Sequence, residues 1–135
     1  MPYRLSALAE RDLEEIWSYV AEDASPATAD RLIDAIIDRF DLLVEQPRMG
    51  RARPEFGPGV RSFPVEGYVV YYRHEDQLLV ARVLHGRRDQ MAAWSQPGRP
   101  VNPNYFGWRA FAESLGIVAP FREPARYRSS ANVVP

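Results

Sequence analysis

The chain has 135 residues, 46% of them hydrophobic, which suffices for one domain with a modest core and excludes two domains of ordinary size. It contains no cysteine, and this excludes disulfides, a thiolate nucleophile and cysteine-ligated metals. The formal net charge of −1 conceals a segregation, because eleven acids face four arginines before Pro47, whereas thirteen arginines face seven acids from there onward.

Two amphipathic helices are predicted in the first third of the chain. Ser6 suits the N-cap of the first helix. The apolar positions of this helix repeat at helical spacing: Leu13, Ile16, Trp17 and Val20. Ser25 and Pro26 are suited to open the second helix as N-cap and first helical residue, and Pro47 stops it. The short connection between the two helices predicts an antiparallel hairpin.

A three-stranded antiparallel meander is predicted next, after a loop rich in Gly, Pro and Arg. The segments 60–63, 68–73 and 78–85 are rich in Val, Leu and Tyr and are separated by turn residues. Residues 3–5 are compatible with one more, short edge strand. The fold class is therefore α+β, with a helix hairpin on a sheet of three to four antiparallel strands. Because 78–85 is apolar on both faces, the second face of the sheet also needs a cover.

All seventeen basic residues are arginines. A guanidinium presents a planar fork of donors that fits carboxylates and phosphates, so the basic half suits an anionic partner, either nucleic acid or an acidic protein surface. No stretch approaches the roughly 20 consecutive apolar residues that span a membrane, and the first residues lack the apolar core of a signal peptide. We therefore expect a cytoplasmic protein without membrane contact.

Four short motifs follow one another along the meander half of the chain: P-x-x-G-R at 47–51, G-x-R at 59–61, Y-V-V-Y-Y-R at 68–73 and V-L-H-G-R-R-D at 83–89. Together with the helix hairpin, this order resembles bacterial toxins of the ParE/RelE superfamily over residues 1–94. The resemblance implies the toxin of a type II toxin-antitoxin pair, silenced by a cognate antitoxin whose C-terminal segment wraps it. Such antitoxins commonly lay a helix and a strand across the toxin sheet, which would cover its second face.

The superfamily contains two kinds of activity. RelE-like members cut messenger RNA on the ribosome without a metal, and this chemistry requires a base, an acid and cations around the phosphate. For such an endoribonuclease, the candidate residues here are Arg61, Arg82 and His85, since an imidazole with a pKa near ~6.5 exchanges protons readily. ParE-like members instead bind DNA gyrase and inhibit it without any catalytic group.

The residues after His85 favour the ParE-like branch. The nucleases often carry a tyrosine just after this position, but here Gly86, Arg87 and Arg88 follow. The resemblance then implies a structural histidine, for which a hydrogen bond to a backbone carbonyl is the expected use. We therefore expect no catalytic residue, no cofactor and no metal, and inhibition of gyrase by direct binding. The alternatives are the ribosome-dependent endoribonuclease and a degenerate toxin that only binds its antitoxin.

Two sets of contact residues follow from this interpretation. The residues predicted to contact the toxic target are Arg61, Arg87, Arg88 and Trp94. The residues predicted to contact the antitoxin lie on the last two strands of the meander: Tyr72, Arg73, Leu78, Val80, Arg82 and Leu84.

The toxin domain is expected to comprise residues 1–95, followed by a C-terminal extension at 96–135 that holds six of the twelve prolines. One short helix is predicted at about 107–115, because Trp108, Phe111, Ala112 and Leu115 have helical spacing. A helix this short needs a surface to dock on. Three interpretations remain for the extension: it covers the second face of the sheet, it binds a partner, or it is downstream sequence added by a shifted frame or an altered stop codon.

Overall fold

The chain forms a two-helix hairpin packed on one face of a five-stranded mixed sheet. The computed structural model describes residues 3–87 and 90–94. The elements are β1 (Tyr3–Leu5), α1 (Ala7–Asp23), α2 (Pro26–Glu45), β2 (Arg51–Ala52), β3 (Arg61–Val65), β4 (Tyr68–His74), β5 (Leu78–His85) and α3 (Gln90–Ala93). A turn of 3₁₀ helix, Pro54–Phe56, follows β2. The predicted α+β class is confirmed, whereas the extension at 96–135 and its short helix lie outside the described residues.

The starts of both long helices are fixed by serine caps. The Ser6 hydroxyl accepts a hydrogen bond from the N–H of Ala9 at 3.0 Å, and the Ser25 hydroxyl accepts one from the N–H of Thr28 at 3.0 Å. Each serine thereby satisfies a donor that has no partner within the first helical turn. Pro26 occupies the first position of α2, where a missing N–H removes no helical hydrogen bond. Both helices lie where the sequence predicts them.

The strand order is β1-β5-β4-β3-β2, and β3, β4 and β5 form the predicted antiparallel meander. The suggested edge strand at 3–5 is confirmed as β1, but it pairs parallel to β5, so the sheet is mixed. β2 lies in the segment predicted as a loop and pairs antiparallel with β3. A strand of two residues has no alternation of apolar and polar positions, and a sequence pattern therefore does not reveal it.

β3 continues two residues beyond its predicted end and includes Pro64, which the sequence pattern assigned to a turn. Pro64 lies opposite Val69 of β4, while β2 pairs only with the first two residues of β3. The outer edge beside Pro64 therefore needs no backbone donor, and a proline is tolerated there. The turn itself has two residues, Glu66 and Gly67, both with positive φ, as in tight hairpins that match the strand twist.

Two apolar cores lie on opposite faces of the sheet. The larger one is between the sheet and the helices, and at its centre are Leu13, Trp17, Ile33, Ile36, Phe40, Val70, Tyr72 and Val80. On the other face, the rings of Phe56 and Trp94 close over Tyr71, with centroids 4.7 to 5.4 Å apart. Part of the second face thus has the cover that the sequence requires, and within the described residues the 3₁₀ turn, α3 and Trp94 supply it.

The turn after α2 is tied to the sheet through the hydroxyl of Tyr72. This hydroxyl donates to the carbonyl oxygen of Pro47 at 2.8 Å and accepts from the N–H of Gly50 at 2.9 Å. A Cβ at position 50 would overlap the Tyr72 hydroxyl and would lie 2.8 Å from the carbonyl oxygen of Ser62. Gly50 is therefore required by close approach to the sheet, which explains the glycine in the P-x-x-G-R motif.

Replacing Gly50 with alanine is expected to lower the free energy of unfolding by about 3 kcal/mol, because the added methyl overpacks the turn and separates Gly50 from Tyr72. Urea denaturation of the full chain measures this change. Gly59→Ala is the matched control: its Cβ would meet nothing within 4 Å, so only the positive φ opposes it, at a cost of about 1–2 kcal/mol. Equal losses in the two variants would contradict the close-approach explanation.

Tyr3 of β1 packs edge-on against Phe40 of α2, with ring centroids 5.2 Å apart. Burial, with a smaller effect of Asp41, raises the pKa of Tyr3 to about 12. A raised pKa means that folding favours the neutral phenol, so its contribution is complete below pH 10 and is lost as the pH rises through 12. The urea midpoint should therefore fall across this interval, and Tyr3→Phe should fall less steeply. Parallel curves for the two chains would contradict this assignment.

Candidate functional site

Part of the edge of β5 has no neighbouring strand. There, the side chains of Ser6, the N-cap of α1, and of Asp12 in α1 form hydrogen bonds with the backbone of β5. β1 pairs with β5 only over Leu78 to Val80. Beyond that point the Ser6 hydroxyl donates to the carbonyl oxygen of Ala81 at 2.6 Å, and Asp12 accepts from the N–H of Val83 at 2.9 Å. These bonds satisfy backbone groups that a missing neighbour strand would otherwise leave without partners. The start of α1 thus replaces the neighbouring strand.

A β-bulge directs Arg82 toward this same edge. Tyr71 of β4 lies opposite Arg82, whereas the next residue, Tyr72, lies opposite Val80, so Ala81 is the extra residue in β5. A bulge of this kind bends the strand and turns the adjacent side chain out of the regular alternation. Arg82 is therefore able to reach Asp12 of α1. Its neighbours in β5 point to the two cores: Val83 lies in the helix-side core, and Ala81 and Leu84 lie in the second core.

Arg82 is 1% exposed, and its guanidinium joins α1 to the C-terminus of α3. Its Nε and Nη2 donate to the two carboxylate oxygens of Asp12, each at 2.8 Å. Its Nη1 donates to the carbonyl oxygens of Ala93 and Trp94, the former at 2.6 Å. Four of the five guanidinium N–H groups are occupied in this way. Arg82 is therefore a structural residue, held where neither a phosphate nor a protein partner meets it.

Asp12 shows the cost of this arrangement. Burial raises the pKa of Asp12, and the hydrogen bonds and charge of Arg82, together with the Val83 N–H, act in the opposite direction. Desolvation outweighs attraction in that balance, as is common for ion pairs that are removed from water on both sides. The pair consequently fixes the relative position of α1, β5 and α3 more than it adds free energy to the folded state.

The three residues considered for ribonuclease chemistry are not brought together. Arg61 lies opposite Tyr72, and His85 lies opposite Tyr68, so the two are four residues apart measured along β4. That distance corresponds to roughly 13 Å along the strands, with two strand spacings between them in addition. Arg61 also donates to the carbonyl oxygens of Gly50 at 2.7 Å and Arg48 at 3.4 Å, which binds it to the turn after α2.

His85 is exposed at the end of β5, with its ring edge-on to Tyr68 at 5.2 Å between centroids. Its Nδ1 accepts a hydrogen bond from the backbone N–H of Arg87 at 3.1 Å, and its carbonyl oxygen accepts one from the side chain of Gln90 at 3.2 Å. The predicted partner of the ring was a carbonyl oxygen, and the structure gives a backbone N–H in its place. The imidazole therefore acts as an acceptor that shapes the turn after β5.

The predicted target contacts differ in their exposure. Arg87 is exposed beside this turn, and Arg88 lies outside the described residues. Trp94 is buried against Phe56 and Tyr71, so its predicted role as a surface contact does not fit its position. A target contact requires an exposed ring, whereas the Trp94 ring is part of the second core. Met91, 53% exposed on α3, is an apolar surface residue that the sequence did not single out.

The predicted antitoxin contacts are mostly interior. Five of the six side chains are buried: Tyr72, Leu78, Val80, Arg82 and Leu84. The first three face the helices, Leu84 lies in the second core, and Arg82 is held by its ion pair. The second face was expected to receive its cover from the antitoxin, but Phe56 and Trp94 already occupy part of it. Of the six, Arg73 alone reaches the surface, with 23% of its side chain exposed.

Asp12 is a residue of this site that was not predicted from the sequence. Its signal was nevertheless present, because Asp12 adjoins Leu13 and precedes Ile16 by four positions, on the inward stripe of α1. A carboxylate on such a stripe needs a buried partner.

Within residues 3–87 and 90–94, no group of three or more histidine or acidic side chains is arranged to hold a metal ion. Over the same residues, no helix is both long enough and apolar enough to span a membrane.

Comparison with known proteins gives one family and several relatives. Residues 3–90 match the family described as ParE toxin of type II toxin-antitoxin system, parDE. Toxin ParE1 of Mycobacterium tuberculosis is 34% identical over 89 residues, covering 64% of this chain and 91% of that protein. Toxin ParE1 of Caulobacter vibrioides is 31% identical over 84 residues, with 62% and 88% covered. Toxin RelE3 of the same organism is 34% identical over 83 residues, with 60% and 89% covered.

A solved structure shares the fold. It is described as the chromosomal ParDE TA system from P. aeruginosa, and it superposes with a TM-score of 0.55 at 22% identity. The superposition covers 63% of this chain and 95% of that one. At this identity the likeness establishes the arrangement of helices and strands.

Breaking the Asp12–Arg82 pair from one side is expected to cost about 3–5 kcal/mol of unfolding free energy, since Asp12→Leu leaves a buried guanidinium without its counter-charge. The double variant Asp12→Leu/Arg82→Met removes both charges and should lose less than the sum of its single changes. Urea denaturation of the four chains completes the cycle. Asp34→Ala, at an exposed position of α2, should change stability by about 0.5 kcal/mol or less. Additive losses would show that the two side chains do not interact.

Proposed function

Because this chain belongs to the ParE toxin family of type II toxin-antitoxin systems, we propose that it inhibits DNA gyrase by direct binding and is neutralised by a cognate antitoxin. The proposal places its action in the bacterial cytoplasm. Inhibition is stoichiometric, since the toxin occupies a surface of gyrase and converts no substrate. The residues needed for inhibition are then those that contact gyrase at the surface of the toxin, and no residue has to transfer a proton.

The main support for this proposal is that the Arg82 guanidinium is hydrogen-bonded to Asp12 and to two backbone carbonyl oxygens inside the fold. Cleavage of RNA needs cations and a proton-transferring group around one phosphate. Here one candidate cation is used inside the fold, and another, Arg61, lies four residues along the strands from His85. A ribosome-dependent endoribonuclease remains the alternative, and one relative carries the name Toxin RelE3. It would require catalytic residues other than these three.

The proposed gyrase contact is the surface around the turn after β5. Arg87 is exposed there, Met91 follows on α3, and His85 holds the turn by accepting from the Arg87 N–H. Arg88 is included from its place in the sequence. An exposed guanidinium and an exposed thioether on one surface suit a partner that offers both carboxylates and an apolar pocket. Arginine also contributes strongly when it is buried at the centre of an interface.

The proposed antitoxin contact is the part of the second sheet face that the 3₁₀ turn and α3 leave open. Arg73 is retained from the predicted contacts, because its side chain is partly exposed there. The fold likeness to a structure described as a ParDE TA system supports the presence of such a partner. The five buried residues keep an indirect role, since they set the shape of the strands that carry this face.

Replacing Arg87 and Arg88 together by alanine should raise the concentration of full chain that half-inhibits gyrase supercoiling by tenfold or more, as expected for arginines at an interface centre. Arg39→Ala, at an exposed position of α2, serves as the matched control and should leave the inhibition unchanged. Thermal unfolding of each chain verifies that the fold persists.

The same preparations should leave messenger RNA intact on translating ribosomes. Codon-positioned cuts made by the wild-type chain, with supercoiling unaffected, would contradict the proposal and restore the endoribonuclease. Unchanged gyrase inhibition by the double variant would preserve the target and move the contact away from the turn after β5.

A further inference from the structure

Helix α1 runs alongside β5 and carries three polar side chains on the side that faces the edge of that strand. The serine that caps α1 donates to the carbonyl oxygen of Ala81, and Asp12 accepts from the N–H of Val83, so the helix and the strand advance in the same direction. Glu15 and Tyr19 follow Asp12 at i+3 and i+7, on the same side of the helix. They therefore lie beyond Val83, toward the end of β5.

Two aromatic rings lie at that end of the sheet. His85, the last residue of β5, lies opposite Tyr68 of β4, and the two rings meet edge-on with 5.2 Å between centroids. Tyr68 packs against the helix-side core. Burial, with smaller effects of Tyr19 and Glu15, raises the pKa of the Tyr68 phenol, because both residues of α1 are close to it. The four side chains Glu15, Tyr19, Tyr68 and His85 thus form one group, the Glu15 cluster.

Glu15 has a carboxylate oxygen without a partner. Its Oε2 is buried and accepts no hydrogen bond from the described residues. Within the same residues, neither Arg11, one helical turn earlier, nor Arg87, exposed after β5, forms an ion pair with it. A buried carboxylate needs a counter-charge or several donors. Asp12 receives both from Arg82 of the same chain, whereas Glu15, one turn further along α1, receives neither.

The Glu15 cluster can be reached from solvent. Tyr19 is 53% exposed, His85 is exposed, and Glu15 is half-buried. A cation that enters from this side passes aromatic rings, which attract it through their quadrupoles, before it meets the carboxylate. A phosphate would instead be repelled by that carboxylate. The cluster therefore suits a cationic ligand and disfavours nucleic acid.

We propose that the Glu15 cluster binds an arginine side chain of the toxic target. The guanidinium donates two N–H groups to the Glu15 carboxylate, in the way that Arg82 donates to Asp12, and lies against the rings of Tyr19 and His85. An ammonium group fits less well, because it is a point charge without a plane that could stack on a ring. The acceptor of this pair is already in place in the toxin, and only its donor comes from outside.

This inference rests on the proposed function in one respect, because gyrase is the partner expected to supply the arginine. The cluster includes His85, which holds the turn after β5 where Arg87 is exposed. One contact surface would then present both a guanidinium and a carboxylate to gyrase. Gyrase would have to offer an acidic and a basic side chain in matching places, and a surface with either charge reversed would be repelled.

Replacing Glu15 with glutamine in the full chain separates recognition from folding. The change removes the charge and keeps the shape, so the concentration that half-inhibits gyrase supercoiling should rise tenfold or more. The urea midpoint should stay the same or rise, because a buried carboxylate oxygen without a partner opposes folding. Glu45→Gln, the same change at an exposed position of α2, should alter neither quantity. Unchanged inhibition by Glu15→Gln, or a lower urea midpoint, would overturn the inference.

The preference for a guanidinium is tested with arginine amide and its neutral analogue citrulline amide. In NMR titrations of the full chain, arginine amide should shift the ring signals of His85 and Tyr68 with a Kd on the order of 1–10 mM, and citrulline amide should not. Glu15→Gln should abolish this shift. Tyr19→Phe should retain the binding, whereas Tyr19→Ala should weaken it about threefold. Equal shifts from the two amides, or no shift up to about 50 mM, would overturn the inference.

The two assays also separate this inference from the proposed function. Equal inhibition of gyrase by the wild-type chain and by Glu15→Gln would leave the proposed function intact and overturn the inference. Absence of inhibition by the wild-type chain would overturn the proposed function and, with it, gyrase as the source of the arginine. The amide titration would still decide whether the Glu15 cluster binds a guanidinium.

Discussion

The guanidinium of Arg82 joins three segments that are distant in sequence: the first turns of α1, the last strand of the sheet and the C-terminus of α3. A bulge at Ala81 brings it to the strand edge, and Asp12 receives it there while also accepting from the Val83 backbone. The cover of the second face depends on this link, because Trp94 immediately follows α3 and packs on Phe56 and Tyr71. Position, more than net stabilisation, is what the buried pair provides.

The arginines of the described meander half divide between internal and outward roles. Arg82 holds the fold together, and Arg61 binds the turn after α2 through two carbonyl oxygens. Arg73 and Arg87 reach solvent on different parts of the surface. The proposed function assigns the surface of Arg73 to the antitoxin and the surface of Arg87 to the toxic target.

Much of the fold was predictable because it depends on local signals. Ser6, Ser25, Pro26 and Pro47 mark helix ends through capping and backbone geometry, and β5 begins and ends where its apolar run does. The site was less predictable, since it depends on pairing between distant strands. Leu84 and Trp94 are buried because Phe56 packs with them on the second face of the sheet. Arg82 reaches Asp12 because a bulge shifts the register of β5. Neither the partner of a strand nor a one-residue register shift is encoded in the period of the sequence.

A toxin that binds gyrase and does not cut RNA changes the topology of plasmid DNA in cells and leaves messenger RNA whole. After brief induction of the full chain, plasmid topoisomers are separated on chloroquine gels while messenger RNA from the same cells is analysed by primer extension. We expect loss of negative supercoiling, with messages that keep their normal ends. Normally supercoiled plasmid together with codon-positioned cuts in messages would contradict it.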